Sequence, residues 1–352
     1  MNHARNIIVI GASAGGFEAL KKIVAALPTD FSASIFIVWH MAPHMQGVLP
    51  HVLNRANRIY AAHAHDHEHI EPNRIYIAPP DHHLLLEKGI VRVTKGPKEN
   101  HFRPAVDPLF RSAAYAYGPQ VAGIVLSGAL DDGTSGLWTI KLRGGLAIVQ
   151  DPKEAQVSSM PENAIRQVDV DYVVPVSEMA GLLTSLADQP VAVARVAGPD
   201  QQDELARIEI SIAEGDLASI TGVMQLGQLT SFTCPECHGV LTRIMDGNRA
   251  RFRCHTGHAF STDALLSVLT ESIEESLWSA IRGINESIML LNHIGDHFAE
   301  INQPQLAAVC FKKAQEAEIR SRLVREAVIL HEQYSQDSLR QSGNGRGQPN
   351  PS

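Results

Sequence analysis

The sequence predicts an α/β fold: a doubly wound, mostly parallel sheet in three layers (α/β/α), followed by a small zinc-ribbon-like module and a C-terminal helical hairpin. Three observations predict it. Short apolar runs alternate with helix-period segments over residues 1–187, the pattern of buried parallel strands with covering helices. Three cysteines and three histidines then cluster between residues 234 and 258. From Thr262 onward, apolar residues recur three and four apart.

The elements follow in order. Asn6 to Ile10 (NIIVI) is a short apolar run of the buried-strand type, and Gly11-Ala12-Ser13-Ala14-Gly15-Gly16 is a tight turn. Leu20, Ile23, Val24 and Leu27 have helical spacing. Ala33 to Trp39 (ASIFIVW) is a second strand ending at His40. A helix at Val48 to Asn54 and a strand at Arg74 to Ala78 come next, then a hairpin about Gly89. Asp107 to Tyr115 is a helix with Pro108 in its first turn. Strands at Val121 to Leu126 and Leu146 to Gln150 flank a helix starting near Thr134, and Tyr172 to Val176 opens the last βα unit. Residues 188–230 are expected to form a linker with short secondary structure, Glu204 to Glu214 being open between strand and helix. The zinc-ribbon-like module is expected over 231–262, the helical hairpin over 263–334 and a disordered Ser/Gln/Gly/Asn/Pro tail over 335–352.

Bulk properties exclude some functions. Of 352 residues, 44% are hydrophobic and 19% charged, with a net charge of -8. No basic stripe favours nucleic acid. No apolar run approaches the roughly 18 residues of a membrane span. The chain reads almost directly into its first strand without a signal peptide, so the expected location is cytoplasmic.

Ser13, His40 and Asp132 each follow a strand, at the edge where parallel sheets place ligands. A serine hydroxyl needs a base to become a nucleophile, imidazole exchanges protons near neutrality, and a carboxylate on its other nitrogen fixes the tautomer. Gly11 to Gly15 has the G-x-S-x-G form of a serine set on a sharp strand-to-helix bend. Gly15 and Gly16 would let backbone N–H groups reach an oxyanion. Each residue also has a plain reading: Ser13 and Asp132 as helix caps, His40 as a strand-end histidine. His44 is the competing base. A dinucleotide site is the other alternative, but Ser13 replaces the middle glycine of G-x-G-x-x-G and the second strand ends in His40, not an acidic residue.

The segments VIGASAGGFEAL, IFIVWHMAP, IVLSGALDDGTSGL, RPAVDPLF and SSMPENAI, in that order, resemble those of the CheB-type chemotaxis protein-glutamate methylesterases over residues 6–187. The resemblance implies hydrolysis of glutamate γ-methyl esters on a methyl-accepting chemoreceptor or related signalling protein, with glutamine deamidation as a second activity and no cofactor for catalysis. It makes Ser13 the nucleophile, His40 the base and Asp132 the orienting acid. It places oxyanion donors at the backbone of Ala14 and Ala129. Arg103, just before the Asp107 helix, is a candidate for holding a substrate carboxyl group by its fork, a plain surface role being the alternative. Family members dedicated to chemotaxis usually carry a receiver domain in front; here the esterase pattern starts at residue 6, so regulation is not expected to follow that route. Asp131 stands where the family typically has Asn.

Cys234-Pro-Glu-Cys237, then Cys254 and His258, supply three thiolates and one imidazole, a closed tetrahedral set that suits a structural zinc. His255 is the reserve ligand. The alternating His63, His65, His67 and His69 would share one face of a strand, but a solvated loop or edge is the plainer reading. Besides the esterase, two other classes stay open: a signalling adaptor that docks through the C-terminal module, with self-association through its helices, and an esterase for small molecules.

Overall fold

A computed structural model describes residues 3–40, 48–56, 58–187, 189–191, 201–216, 222 and 227–331 of the chain. The contacts divide the protein into one unit up to Leu265 and another from Leu266.

In the first unit, β1 (His3–Ala4) precedes β2 (Ile7–Ala12), α1 (Gly16–Ala26), β3 (Ser34–Trp39), α2 (Val48–Ala56), β4 (Tyr60–His63) and β5 (Arg74–Ile77). A hairpin, β6 (His83–Glu87) and β7 (Ile90–Thr94), leads to α3 (Val106–Tyr117). Then come β8 (Val121–Val125), α4 (Thr134–Leu142), β9 (Leu146–Gln150), α5 (Ser159–Gln167), β10 (Tyr172–Val174), α6 (Val176–Ala187) and β11 (Pro190–Val191). The central sheet has seven strands in the order β10-β9-β8-β2-β3-β5-β4, every pairing parallel. β1 and β11 form a separate antiparallel pair.

Alternation along β2 divides its side chains between two cores. Ile8 and Ile10 pack with Leu20, Ile23 and Val24 of α1 and Leu183 of α6. Ile7 and Val9 pack on the other face with Leu109 and Phe110 of α3 and Leu137 of α4. The helix after β2 therefore covers one face and the helix after β8 the other. The crevice between these neighbouring strands is where winding reverses, the place at which open α/β sheets bind ligands.

The rest of this unit departs from the expected division. The stretch read as a linker holds α7 (Gln201–Glu214), a 14-residue helix that packs on α3. Leu205, Ala206, Glu209, Ile212 and Ala213 are its buried residues, a spacing that only a helix puts on one face. Four antiparallel strands follow: β12 (Gln228–Thr233), β13 (Val240–Asp246), β14 (Arg249–Cys254) and β15 (Ala259–Ser261). This small sheet belongs to the same unit as the seven-stranded layer. A buried charge network joins them: Arg111 of α3, Arg251 and Arg253 of β14, Glu209 of α7 and Glu99. Arg253 donates to Glu99 at 2.8 Å and to Glu209 at 3.0 Å. Buried charges of this kind persist only when paired and hydrogen-bonded.

The second unit is helical. α8 (Thr262–Glu300) enters it and pairs antiparallel with α9 (Pro304–Ile329), as expected for the hairpin. Ser321 donates to Asn285 at 3.0 Å, and a Cβ on Gly295 would stand 2.6 Å from the Phe311 ring, so glycine permits the close approach there. The expected tail lies outside the described residues.

Candidate active site

The seven-stranded layer places three sequence-predicted residues on one rim. Ala12 pairs with Trp39 in the β2–β3 register, so Ser13 and His40 are the next step on adjacent strands. The His40 N–H donates to the Ala12 carbonyl at 3.0 Å, and the Trp39 indole donates to the Ser13 carbonyl at 3.2 Å. On the other side of β2, the Ser13 N–H donates to the Ser127 carbonyl beyond β8, at 3.0 Å. His44, the competing base, lies outside the described residues.

His40 and Asp132 meet. The imidazole Nε2 is 2.8 Å from Asp132 Oδ2, with the two side chains 3% and 2% exposed. A carboxylate only accepts, so Nε2 carries the proton and donates it. Nδ1 is buried and has no partner among the described residues, which leaves it as the proton-accepting nitrogen. The ring stacks on Phe102 with centroids 3.9 Å apart and planes 7° from parallel.

Asp132 accepts four further hydrogen bonds. Val106 N–H reaches Oδ2 at 2.7 Å; Asn100 Nδ2, Gly133 N–H and Asp107 N–H reach Oδ1 at 2.9, 3.0 and 3.2 Å. Two of these donors are the first N–H groups of α3, whose dipole also favours an anion. Gly11 makes this possible: a Cβ there would stand 2.3 Å from Val106 Cγ1. Burial pushes the Asp132 carboxyl up, but the bond and charge of His40 and the Val106 and Asn100 donors outweigh it and hold the group below its ordinary value. Its neighbours move the other way. Burial, then the Asp132 charge, pushes Asp107 up to about 8. Burial pushes Asp131 up to about 7, although Ser261 donates to it at 2.6 Å. Asp132 is thus held toward its ionised form while its two carboxyl neighbours are pushed toward their protonated forms.

Ser13 sits at the mouth, half-buried, with no hydrogen bond to its hydroxyl among the described residues. Gly15, in the left-handed region (φ 77), turns the chain into α1. Gly128 lies against the serine: a Cβ there would be 2.7 Å from Ser13 Cβ and 2.2 Å from Met160 Sδ. The Ala14 and Ala129 N–H groups, the expected oxyanion donors, make no hydrogen bond among the described residues. Arg103 differs from its expectation. Its Nε and one terminal nitrogen donate to Asp81 at 2.9 and 2.7 Å, and the other terminal nitrogen donates to the Gly96 carbonyl at 2.8 Å. The fork that was to hold a substrate carboxyl group is taken up by an internal one, so Arg103 braces a loop.

Sequence reasoning missed Asn100, Phe102, Gly128 and Met160. Gly128 and Met160 fall within segments singled out for other reasons (IVLSGALDDGTSGL and SSMPENAI). Asn100 and Phe102 lie in Glu99-Asn100-His101-Phe102, which has no periodicity to mark it.

Cys234, Cys237, Cys254 and His258 come together, their ligand atoms all within 4.8 Å of one another. The Cys237–Cys254 sulfurs are 3.6 Å apart, and His258 Nδ1 is 3.8 and 3.6 Å from the sulfurs of Cys234 and Cys254. Zinc–sulfur bonds of about 2.3 Å give tetrahedral edges of about 3.8 Å, so the donor set fits that metal. His255 is not part of the cluster. Among the described residues the His63 to His69 run forms no such group; only His63 lies on a strand, and His67 takes a left-handed conformation (φ 60) that breaks the alternation.

Comparison with known proteins shows the family. The family model described as CheB methylesterase matches residues 8–183. A protein from Leptospira interrogans is 41% identical over 180 residues, covering 51% of this chain and 93% of that protein. Proteins named protein-glutamate methylesterase/protein-glutamine glutaminase from Geobacter metallireducens and Pyrococcus horikoshii are 41% and 35% identical, each over about half of this chain. This chain spans 48% and 49% of their respective lengths. The crystal structure of the Thermotoga maritima CheB methylesterase catalytic domain superposes with a TM-score of 0.50 at 35% identity, covering 51% of this chain and 98% of that one. The chain belongs to the CheB methylesterase family.

Proposed function

We propose that the protein is a protein-glutamate methylesterase that hydrolyses glutamate γ-methyl esters on a methyl-accepting receptor or related signalling protein, and deamidates glutamine by the same acyl chemistry. The observation that carries this reading is the buried His40–Asp132 pair set one strand from Ser13, with the second imidazole nitrogen left open.

The reaction runs in two halves. Ser13 Oγ attacks the ester carbonyl while its proton passes to His40 Nδ1, and Asp132 stabilises the imidazolium through Nε2. The carbonyl oxygen becomes an oxyanion, for which the open N–H groups of Ala14, just before α1, and Ala129, in the loop after β8, are the donors. The C–O bond to the methoxy group breaks, methanol leaves with the proton from His40, and an acyl-serine remains. Water then attacks, giving its proton to His40. Cleavage of the acyl bond returns Ser13 and releases the free glutamate. With glutamine, ammonia leaves in place of methanol. Every proton is moved by His40, and no step calls for a cofactor.

The four-stranded module is read as a zinc site of structural type, held by Cys234, Cys237, Cys254 and His258; four protein ligands leave no position for substrate. So small a sheet buries little core, and the metal would supply much of its stability. Unpaired cysteines in such a set suit a reducing compartment, which supports a cytoplasmic location; no helix among the described residues is long and apolar enough to cross a membrane. Exposed Trp278, Met289 and Leu290 on α8 and Leu323 on α9 support self-association through the helical pair.

The test is release of methanol from a receptor peptide carrying a glutamate γ-methyl ester. Wild type is expected to release it, and Ser13→Ala to be slower by about 10⁶-fold, the loss seen when a nucleophile of this kind is removed. Equal rates for the two proteins would end the reading.

A further inference from the structure

The four-stranded module does more than sit beside the esterase layer. We propose that it is a metal-locked clamp on the active site, holding residues 98–102 so that Asn100 and Phe102 position Asp132 and His40. This rests on the esterase reading above.

The segment is gripped from the module's side at almost every residue. Lys98 Nζ lies 3.1 and 3.2 Å from the Glu236 carboxylate, and His101 Nδ1 lies 2.7 Å from it. Glu99 takes Arg253 at 2.8 Å. The Asn100 N–H donates to the Ala259 carbonyl at 2.7 Å, Ala259 N–H to the Lys98 carbonyl at 3.2 Å, and Ser261 N–H to Asn100 Oδ1 at 2.8 Å. On its other side the same segment meets the catalytic residues: Asn100 Nδ2 donates to Asp132 Oδ1 at 2.9 Å, and Phe102 stacks on the His40 ring.

Two features make this a clamp rather than a chance contact. Asn100 and His101 are consecutive non-glycine residues in the left-handed region, with φ of 51° and 72°. Asn and His enter that conformation more readily than most L-residues, but two in succession still cost backbone energy, which the surrounding contacts offset. The gripping groups are also tied to the metal ligands. Glu236 directly precedes Cys237, and Ala259 directly follows His258. A metal that fixes those ligands fixes both grips, and its loss frees both.

Asn100 acts through Asp132 and Phe102 through the His40 ring, so they are positioning residues. Their effect should fall on kcat and spare KM. The test uses the full chain, its zinc content measured by mass spectrometry before and after stripping with a chelator, with methanol release from the methylated receptor peptide and circular dichroism on every sample. One zinc per chain is expected. Stripping should lower kcat about 10- to 100-fold, the size of one lost hydrogen bond to a charged group, with KM within about twofold. Asn100→Ala with zinc bound should lose a similar factor in kcat. Stripping Asn100→Ala should then cost no more than about threefold beyond that, because both changes act through the same contact. Where stripping unfolds the chain, zinc-loaded Glu236→Gln decides: loss of kcat with unchanged KM and fold supports the clamp. Wild-type kcat in Glu236→Gln, or the same stripping factor in Asn100→Ala as in wild type, overturns it. Zinc-loaded wild type that releases no methanol sinks the esterase reading and the clamp with it, whereas release indifferent to stripping in a folded chain sinks the clamp alone.

Discussion

Asp132→Asn removes one charge and nearly no volume, yet the surroundings make it severe. Five donors converge on the carboxylate, three at Oδ1 and two at Oδ2. An asparagine has one accepting oxygen. Keeping that oxygen on the side of Asn100, Asp107 and Gly133 satisfies three donors and turns the amide NH2 toward Val106 N–H and His40 Nε2. His40 must then accept at Nε2, so its single proton moves to Nδ1, the nitrogen that takes the serine proton in the proposed reaction. The base is blocked by its own proton. Loss of the correct tautomer in a triad costs about 10⁴-fold in kcat, or about 5–6 kcal/mol of barrier. The Val106 N–H now opposes a donor, so stability should fall by about 1–3 kcal/mol as well. Methanol release measured over pH, beside urea unfolding of both proteins, separates the two effects. A folded Asp132→Asn within tenfold of wild type would refute the assignment of Asp132 as the group that sets the His40 tautomer.

Two further outcomes follow from neighbouring groups. Asp131 titrates near 3.8 when unfolded and is pushed up to about 7 by burial in the fold. Below pH 3.8 both states are protonated and nothing is lost; above it the folded state keeps a proton the unfolded chain has released, so stability declines until about pH 7 and then levels. Asp131→Asn, which keeps an oxygen for Ser261, should therefore match wild type at pH 4 and exceed it by up to about 4 kcal/mol at pH 8, read by urea unfolding; an equal difference at both values would count against the buried, protonated carboxyl. Gly128→Ala drives a methyl into Ser13 Cβ and Met160 Sδ, at 2.7 and 2.2 Å. Displacing the serine by a fraction of an ångström should lower kcat/KM about 100-fold with the circular dichroism unchanged, and wild-type turnover would show that the turn tolerates the shift.

The sheet and its rim were legible because buried parallel strands write themselves as apolar runs. IIVI, SIFIVW, VAGIV and LAIVQ needed no partner to be recognised. Less visible were elements whose apolar signal is diluted. β4 (YAAH) hides among histidines, and α5 (SMPENAIRQ) buries only Met160, Pro161, Asn163 and Ala164. In α7 the residues Ile208, Ile210 and Ile212 alternate as a strand would, while Leu205, Glu209 and Ile212 follow the helix; the helix wins because Glu209 turns inward to the arginines of β14. That charge network is the least legible part. Glu99, Arg111, Glu209, Arg251 and Arg253 are scattered over the chain and read one at a time as solvated residues. Only the fold shows that they meet, and with them the grip on Asn100. The expected site divides along the same line. Ser13, His40 and Asp132 announce themselves by strand ends, whereas nothing in the sequence marks Asp81, 22 residues away, as the partner of the Arg103 fork.

Ser13 is the residue on which all the proposed chemistry turns, and a serine-directed fluorophosphonate reports on it without reference to any receptor. Mapped by peptide mass spectrometry, the adduct is expected on Ser13 alone, to form more slowly in the presence of the methylated peptide, and to vanish in His40→Ala. Labelling of another serine, or methanol release that continues at full rate after Ser13 is fully modified, would contradict the placement of the nucleophile.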